Sequence, residues 1–330
     1  MADPMQALIQ MGALPSPAHI EAQVSEKGDT PLLFAARNGN IEHVQLLLAA
    51  KANVDWRNNG GASALFLACQ GGHAACANAL IKAGSVVDAM STTQATPSFI
   101  AAQKGHADCL QLLIEAKANL NIPAQVSAVA GGGHSPLDMG SLSRQLSNVS
   151  TESIEGGMGA DGRYVMPSKS GVTPTFIAAQ QGNVDALRLL IKARANIDTP
   201  TNGGVTPVCI AAAEGHGPSL QALIDAGANV NTVTTGGVTP VYIAAQKGQA
   251  ESLRILVNAS ANCNTPTNDG SSAVFIAAQE GHLDCVRELI VGGAVLDRKY
   301  QGKTPKQIAK VNKHLAVAAM ISDTIKSKAR

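Results

Sequence analysis

Gly-Gly-Val-Thr-Pro-Val-Cys-Ile-Ala-Ala-Ala-Glu-Gly-His, residues 203–216, continues into Leu220 to Ile224 and then Ala-Gly-Ala-Asn at 226–229, and this stretch decides the fold. Thr206 reads as an N-cap, because its hydroxyl can accept one of the unpaired amides of a first helical turn. Pro207 follows at the first helical position, where a missing N–H costs nothing. A helix of about two turns then stops at Gly215, which tolerates the left-handed backbone of a helix end. Apolar residues at helical spacing build a second amphipathic helix, as Leu187, Leu190 and Ile191 do one copy earlier. A Gly-containing turn, such as Asn202-Gly203-Gly204, leads into the next Thr-Pro. The unit is therefore helix, turn, helix, hairpin-like loop.

The unit repeats. A Thr or Ser followed by Pro or Ala occurs at Thr30, Ser63, Thr96, Thr173, Thr206, Thr239, Ser272 and Thr304, with spacings of 33, 33, 77, 33, 33, 33 and 32. One pair of short helices cannot bury its own apolar face, so each unit must stack on its neighbours. The Gly-x-Thr-Pro, Ala-Ala, Gly-His and Ala-Asn signature resembles the ankyrin repeat, over roughly residues 28–121 and 171–321. That resemblance implies an all-α repeat fold, an ankyrin-repeat solenoid of stacked helix-turn-helix units with loops projecting from one edge. It divides the chain into an N-terminal half-repeat cap (1–27, with Ala7 to Ala13 resembling the end of a second helix), repeats 1–3 (28–121), an insertion (122–170), repeats 4–7 (171–297) and a basic C-terminal capping repeat and tail (298–330).

Several positions depart from the family pattern. The family commonly carries His two residues after Thr-Pro begins a helix, where this chain has Leu33, Phe66, Phe99, Phe176, Cys209, Tyr242 and Phe275. Five of the nine aromatic residues thus share one slot, and packing between repeats explains them better than a ligand groove. After the second helices, Gly84 and Gly227 supply the expected left-handed residue, but Lys51, Lys117, Arg194 and Ser260 stand at the same place in other repeats. The insertion holds Gly131-Gly132-Gly133, Gly156-Gly157 and a Ser-rich run, too few apolar residues to fold alone. A long loop is preferred, with an eroded repeat around Ser135-Pro136-Leu137 as the other option. Within it, Arg144-Gln145-Leu146-Ser147 resembles a basophilic kinase site, making Ser147 a phosphorylation candidate.

Composition narrows the function classes. The chain of 330 residues is 45% hydrophobic but only 3% aromatic, which suits closely packed helices of small aliphatic residues. With Lys27 as the first basic residue, the N-terminal stretch lacks the marks of a secretory or organelle-targeting segment. The longest apolar stretches, such as Leu315 to Ile321, fall far short of the roughly 20 residues a membrane span requires. A cytoplasmic location is expected, with cytoskeletal association or the nucleus also open, and the six cysteines are expected to be reduced core thiols. Residues 298–330 carry nine Lys/Arg against Asp323 alone, a surplus of +8 that leaves −7 for residues 1–297 out of a net +1. Nucleic acid is disfavoured by that acidic majority and by the lack of aromatic-basic interleaving.

Candidate chemistry does not survive the period. His-x-x-Cys occurs at His73/Cys76, His106/Cys109 and His282/Cys285. Each pair occupies one slot of a different repeat, and helices stacked about 8–10 Å apart cannot bring two pairs to one tetrahedral ion. No phosphate-binding loop, nucleophile elbow or paired Cys-x-x-Cys occurs, so no cofactor, metal or catalytic residue is expected.

The expected function is a non-catalytic protein-protein interaction scaffold or adaptor, possible also as a subunit of a larger assembly. The alternatives are a regulatory or inhibitory subunit of an enzyme and an attachment module for an acidic or cytoskeletal surface. In the family, partners usually meet the concave face of the first helices and the loop tips. On those helices Gln70, Gln103, Gln180, Gln246 and Gln279 recur at one slot, with Lys104 and Lys247 beside it. At the tips, Trp56 with Arg57 and Tyr300 with Arg298 and Lys299 offer hot-spot residue types with no evident core role. In the final repeat, Lys306, Lys310 and Lys313 are expected on one face, with Ile308 and Leu315 on the opposite side, and Lys326, Lys328 and Arg330 form a basic tail.

Overall fold

The computed structural model describes residues 20–126, 157–158, 164–165 and 169–328, and among these sixteen helices form eight pairs. They are α1 (Pro31–Asn38) and α2 (Ile41–Ala49), α3 (Ala64–Gly71) and α4 (Ala74–Lys82), and α5 (Pro97–Lys104) and α6 (Ala107–Glu115). After four short strands come α7 (Pro174–Gln181) and α8 (Val184–Lys192), α9 (Pro207–Glu214) and α10 (Gly217–Asp225), and α11 (Pro240–Gln246) and α12 (Ala250–Asn258). The last pairs are α13 (Ala273–Glu280) and α14 (Leu283–Val291), then α15 (Pro305–Val311) and α16 (Leu315–Lys328). The strands are β1 (Ala124–Val126), β2 (Gly157–Met158), β3 (Tyr164–Val165) and β4 (Lys169–Val172). β2 and β3 pair antiparallel, with Gly157 opposite Val165. The half-repeat expected at Ala7 to Ala13, the Gly-rich run at 131–133 and Ser147 lie outside the described residues.

The described residues belong to two compact units: one from 1–152, 172–177 and 188–195, the other from 153–171, 178–187 and 196–330. In the first, α1, α3 and α5 stack in order, as do α2, α4 and α6. In the second, α9, α11, α13 and α15 form one layer and α10, α12, α14 and α16 the other. Among the described residues no helix is long and apolar enough to cross a membrane.

Most first helices start as the Thr-Pro signal predicts; Thr30 is the exception, standing at the N-cap of α1 with no cap bond from its hydroxyl. Ser63, Thr96, Thr173, Thr206, Thr239 and Ser272 accept with their hydroxyls the amide three residues on. The donor is the residue of the aromatic slot, so cap and core are set by one register. All seven slot residues are buried, from Leu33 at 0% to Phe176 at 4% exposure, so they are core rather than a ligand groove. Second helices begin at His73, His106, His216, Gln249 and His282, and none of these side chains caps its own helix. Their polar groups are committed elsewhere, across the repeat boundary.

Hairpin loops are tied to one another as well. Asp55, Asp88, Asp198, Asn231 and Asn264 each accept with a side-chain oxygen the amide of a residue 31 positions further on, at 2.8 to 3.1 Å. The second residue beyond each of the first seven second helices is left-handed, and the non-glycine occupants Lys51 (φ 68°), Lys117 (61°), Arg194 (60°) and Ser260 (59°) hold that conformation. A Cβ there costs on the order of 1 kcal/mol relative to Gly. Lys51→Gly and Arg194→Gly are therefore expected to raise the melting temperature, each by about 1 kcal/mol of stability in urea titrations. A lowered midpoint for either variant would mean that the side chain contributes more than the backbone strain removes.

Candidate functional site

Stitching between repeats fixes the frame on which any binding surface stands. His73 Nε2 bonds to the carbonyl of Arg37 at 3.1 Å, His106 to Gln70 at 3.2 Å, His216 to Gln180 at 3.0 Å and His282 to Gln246 at 3.3 Å. Gln249 Nε2 donates to Ala213 at 3.4 Å, and Asn312 Nδ2 donates to Gln279 at 2.8 Å. Every acceptor lies in the slot that the sequence marked as a Gln ladder. Each His of a His-x-x-Cys pair is thereby used within the fold, and among the described residues no three potential ligands cluster for a metal.

The Gln side chains are less open than a solvated helix edge would make them. Gln103 and Gln180 are more than nine-tenths buried, whereas Gln70, Gln246 and Gln279 are half-buried. Gln279 Nε2 also reaches Glu280 Oε1 at 3.4 Å. Beside the slot, Asn38, Lys104, Glu214 and Lys247 are exposed, and Gln181 and Glu280 are half-exposed. That outer row changes charge from repeat to repeat on a constant frame.

Arg37 breaks the Gln pattern for a reason the sequence did not reveal. Asp29 stands in a slot that holds Ala62, Ala95, Val172, Val205, Val238 and Ser271 elsewhere, and it is buried. Arg37 Nη2 contacts both of its carboxylate oxygens, at 3.1 and 2.8 Å, and Asn58 Nδ2 donates to it at 2.7 Å. The exceptional Arg is the partner of an exceptional Asp.

The two predicted loop tips behave differently. Trp56 is half-buried, with its indole nitrogen enclosed, while Arg57 is exposed and donates to the carbonyl of Met90 in the next hairpin at 2.8 Å. Val86 and Met90 are exposed near that contact, and the sequence reading missed them because single apolar loop residues carry no periodic signal. At the other tip Arg298 and Lys299 are exposed, but Tyr300 is buried, contrary to the expectation that the core has no use for it. Its ring meets Phe275 edge to face at 5.0 Å, and its hydroxyl donates to Asp269 at 2.6 Å. Tyr300 closes the aromatic slot where the last repeat has Gln307 instead of a ring.

Five of the six thiols are held in the neutral form, whereas Cys109 is lowered by the hydrogen bond it accepts from Cys69. All six cysteines are free and buried. Burial pushes the Cys76, Cys209 and Cys263 thiols up, and Cys285, burdened also by Asp284 and Glu288, is raised to about 12. Cys69, hydrogen-bonded to Cys109 and buried, is raised as well. Neutral thiols at physiological pH are poor nucleophiles and poor metal ligands.

A family model described as ankyrin repeats (3 copies) matches residues 5–91, 32–124, 158–234 and 241–329. Among solved structures, the human ASB11 ankyrin repeat domain is similar at a TM-score of 0.59 and 24% identity, over 80% of this chain and 98% of that one. A comparison with curated protein sequences gives no match.

Two stability predictions follow from this geometry. Arg37→Gln should cost about 3 kcal/mol, because it strands a buried carboxylate, and Asp29→Val should cost less, because the 27% exposed Arg37 can turn to water. The double variant, which carries the residues of the other repeats, should lie within about 1 kcal/mol of the parent in chemical denaturation. Purely additive losses would show that the pair is not coupled. The second prediction concerns pH. Burial raises the Asp269 carboxyl, but the Thr267 and Tyr300 hydroxyls and the Ser271 amide outweigh it and hold the group below its ordinary value. A depressed carboxylate contributes stability above its unfolded value and loses it as pH falls through the folded one. Tyr300→Phe should therefore be destabilised at neutral pH, with the gap to the parent narrowing below about pH 4 in acid titrations. A gap constant through that range would assign the whole effect to packing on Phe275.

Proposed function

The chain belongs to the ankyrin-repeat family, and on that premise we propose that it is a non-catalytic scaffold or adaptor whose partner protein lies along the exposed ends of the first helices and the hairpin tips. The observation that carries this is the outer row beside the Gln slot. The slot carbonyls of Arg37, Ala213 and Gln246 are bridged to the next repeat, and beside them the exposed side chains run Asn38, Glu214 and Lys247, with Lys104 at the same position of the third repeat. In each unit, residues that vary in charge on a repeated frame suit recognition of a partner surface. Trp56, Arg57, Arg298 and Lys299 extend the surface to the tips, while the buried Tyr300 acts on it only by holding its loop.

Ankyrin folds serve many unrelated partners, so the site and not the fold must identify this one. A crosslinking pull-down from native lysate, run in parallel with the chain and with Lys104→Glu/Lys247→Glu, tests the assignment. The parent is expected to retain a stoichiometric partner, and the charge reversal to reduce recovery by roughly tenfold, equivalent to about 1.4 kcal/mol. Equal recovery by both would sink the first-helix edge as the contact surface. An enzyme as the recovered partner would make the chain a regulatory subunit, a role the same surface can fill.

A further inference from the structure

We propose that the end face of the last repeat docks an acidic amphipathic helix of a partner protein, in the place that the second helix of a further repeat would take. This surface is separate from the first-helix edge and rests on the preceding reading only in that the chain binds proteins. The argument begins from what each slot faces. Ile41, Ala74, Ala107, Ala250, Leu283 and Leu315 share one slot with Gly217. A Cβ on Gly217 would stand 3.3 Å from Cδ1 of Ile255 on the second helix of the next repeat, so the slot points at the following neighbour. In the earlier repeats its occupants are half-buried or buried, but Leu315 is 70% exposed. On α16, Val317, Ala318 and Ile321 face the core, and Leu315, expected opposite the lysine face, faces out.

Val311 obeys the same rule. It occupies the slot whose carbonyls at Gln246 and Gln279 accept bonds from the next repeat, and it is 60% exposed. Exposed Ala316 and Ala319 continue the strip along α16. The first helix of this repeat, by contrast, is closed with polar residues. Where other repeats bury a ring it has Gln307, and where they bury Ala36 or Cys69 it has Lys310. Terminal repeats need a polar outer face for solubility. Here α15 has one, and the adjoining edge of α16 keeps the apolar character of a helix that expects a neighbour.

Charge selects the occupant. Lys310, Lys313 and Lys326 are exposed around the strip, and Lys306 is half-buried and bonded to Ser322 at 2.9 Å. The sole acid of residues 298–330 is Asp323, which lies 3.9 Å from Lys326. Two copies meeting by this face would bring like charges together, which disfavours self-association. A helix with Leu or Ile at every third and fourth position and Glu or Asp on its flanks satisfies both the apolar strip and the lysines around it.

The test uses the full chain and a fluorescein-labelled, stapled synthetic peptide with Leu at every third and fourth position and Glu elsewhere. Binding is read by anisotropy at low and high salt. The parent is expected to bind, more weakly as salt rises. Leu315→Ser and Lys310→Glu/Lys313→Glu should each weaken binding by roughly tenfold or more, and Lys82→Glu on the second repeat should leave it unchanged. Circular dichroism melts establish that each variant is folded. Absence of binding, or equal binding by Leu315→Ser and the parent, overturns the proposal. So does a dimer in sedimentation velocity that Leu315→Ser abolishes, which would make a second copy the occupant. Leu315-dependent flotation with phosphatidylserine vesicles by a chain that ignores the peptide would assign the face to a membrane. Recovery of the lysate partner by Leu315→Ser separates failure here from failure of the first-helix edge.

Discussion

A hydrogen bond from a second-helix side chain back across 36 residues to a first-helix carbonyl is the constraint on which the rest of this structure depends. It explains why the glycine before each His cannot change. Gly72 is left-handed at φ 75°, and a Cβ on it would stand 2.6 Å from the His106 ring. It also explains why the second helices that begin at His73, His106, His216, Gln249 and His282 have no side-chain cap, since the group at the N-cap is engaged with the previous repeat; α2, by contrast, is capped by Asn40. Imidazole is not essential to the bond. Gln249 and Asn312 make the same connection with amides, so the geometry demands a donor of the right reach and not a titrating ring. Each such bond contributes about 1 kcal/mol net, but it also orients two helices that bury their apolar faces together.

The same bond shapes the binding edge. Where the carbonyl of the slot is held from beyond, as at Arg37, Gln70, Gln180, Ala213, Gln246 and Gln279, the last turn of the first helix is tied to the next repeat. The next residue along the chain projects outward at Asn38, Lys104, Glu214 and Lys247. Sequence variation is therefore channelled into one exposed row. In this way a packing constraint becomes a device for recognition: the frame repeats, and only the outermost groups differ.

Much of this was legible in the sequence, for physical reasons that differ by element. Thr-Pro and Gly-His announced helix starts and stops because cap chemistry is local, and the 33-residue period follows from every unit needing the same neighbour contacts. Left-handed Lys51, Lys117, Arg194 and Ser260 could be placed because the period aligned them with Gly84 and Gly227. What escaped was what depends on contacts between units. Asp29 and Arg37 are eight residues apart and meet only when α1 forms, and Asn58 joins them from the next hairpin. Tyr300 read as a loop-tip aromatic, yet the absence of a ring at Gln307 leaves room over Phe275 that Tyr300 fills. The Gln slot read as an open ladder because sequence shows the amide and conceals the carbonyl beneath it.

Departures from the repeat consensus concentrate where the pattern of neighbours changes, and they share a logic. In the first repeat, a slot that is apolar or small elsewhere holds Asp29, and the cost of its burial is met by Arg37 and Asn58. In the last, three buried slots become Lys306, Gln307 and Lys310, and Tyr300 from the preceding hairpin covers the ring that would otherwise face solvent. A helix pair at the end of a stack loses half of the contacts that justify its apolar residues, so polar replacements cost less there than anywhere inside. By that reasoning every apolar residue on the end face should have been replaced. Val311 and Leu315 were not, and at 60% and 70% exposure they stand among lysines rather than carboxylates. An unreplaced apolar pair inside a basic ring is the pattern expected of a face that spends its time covered by something acidic.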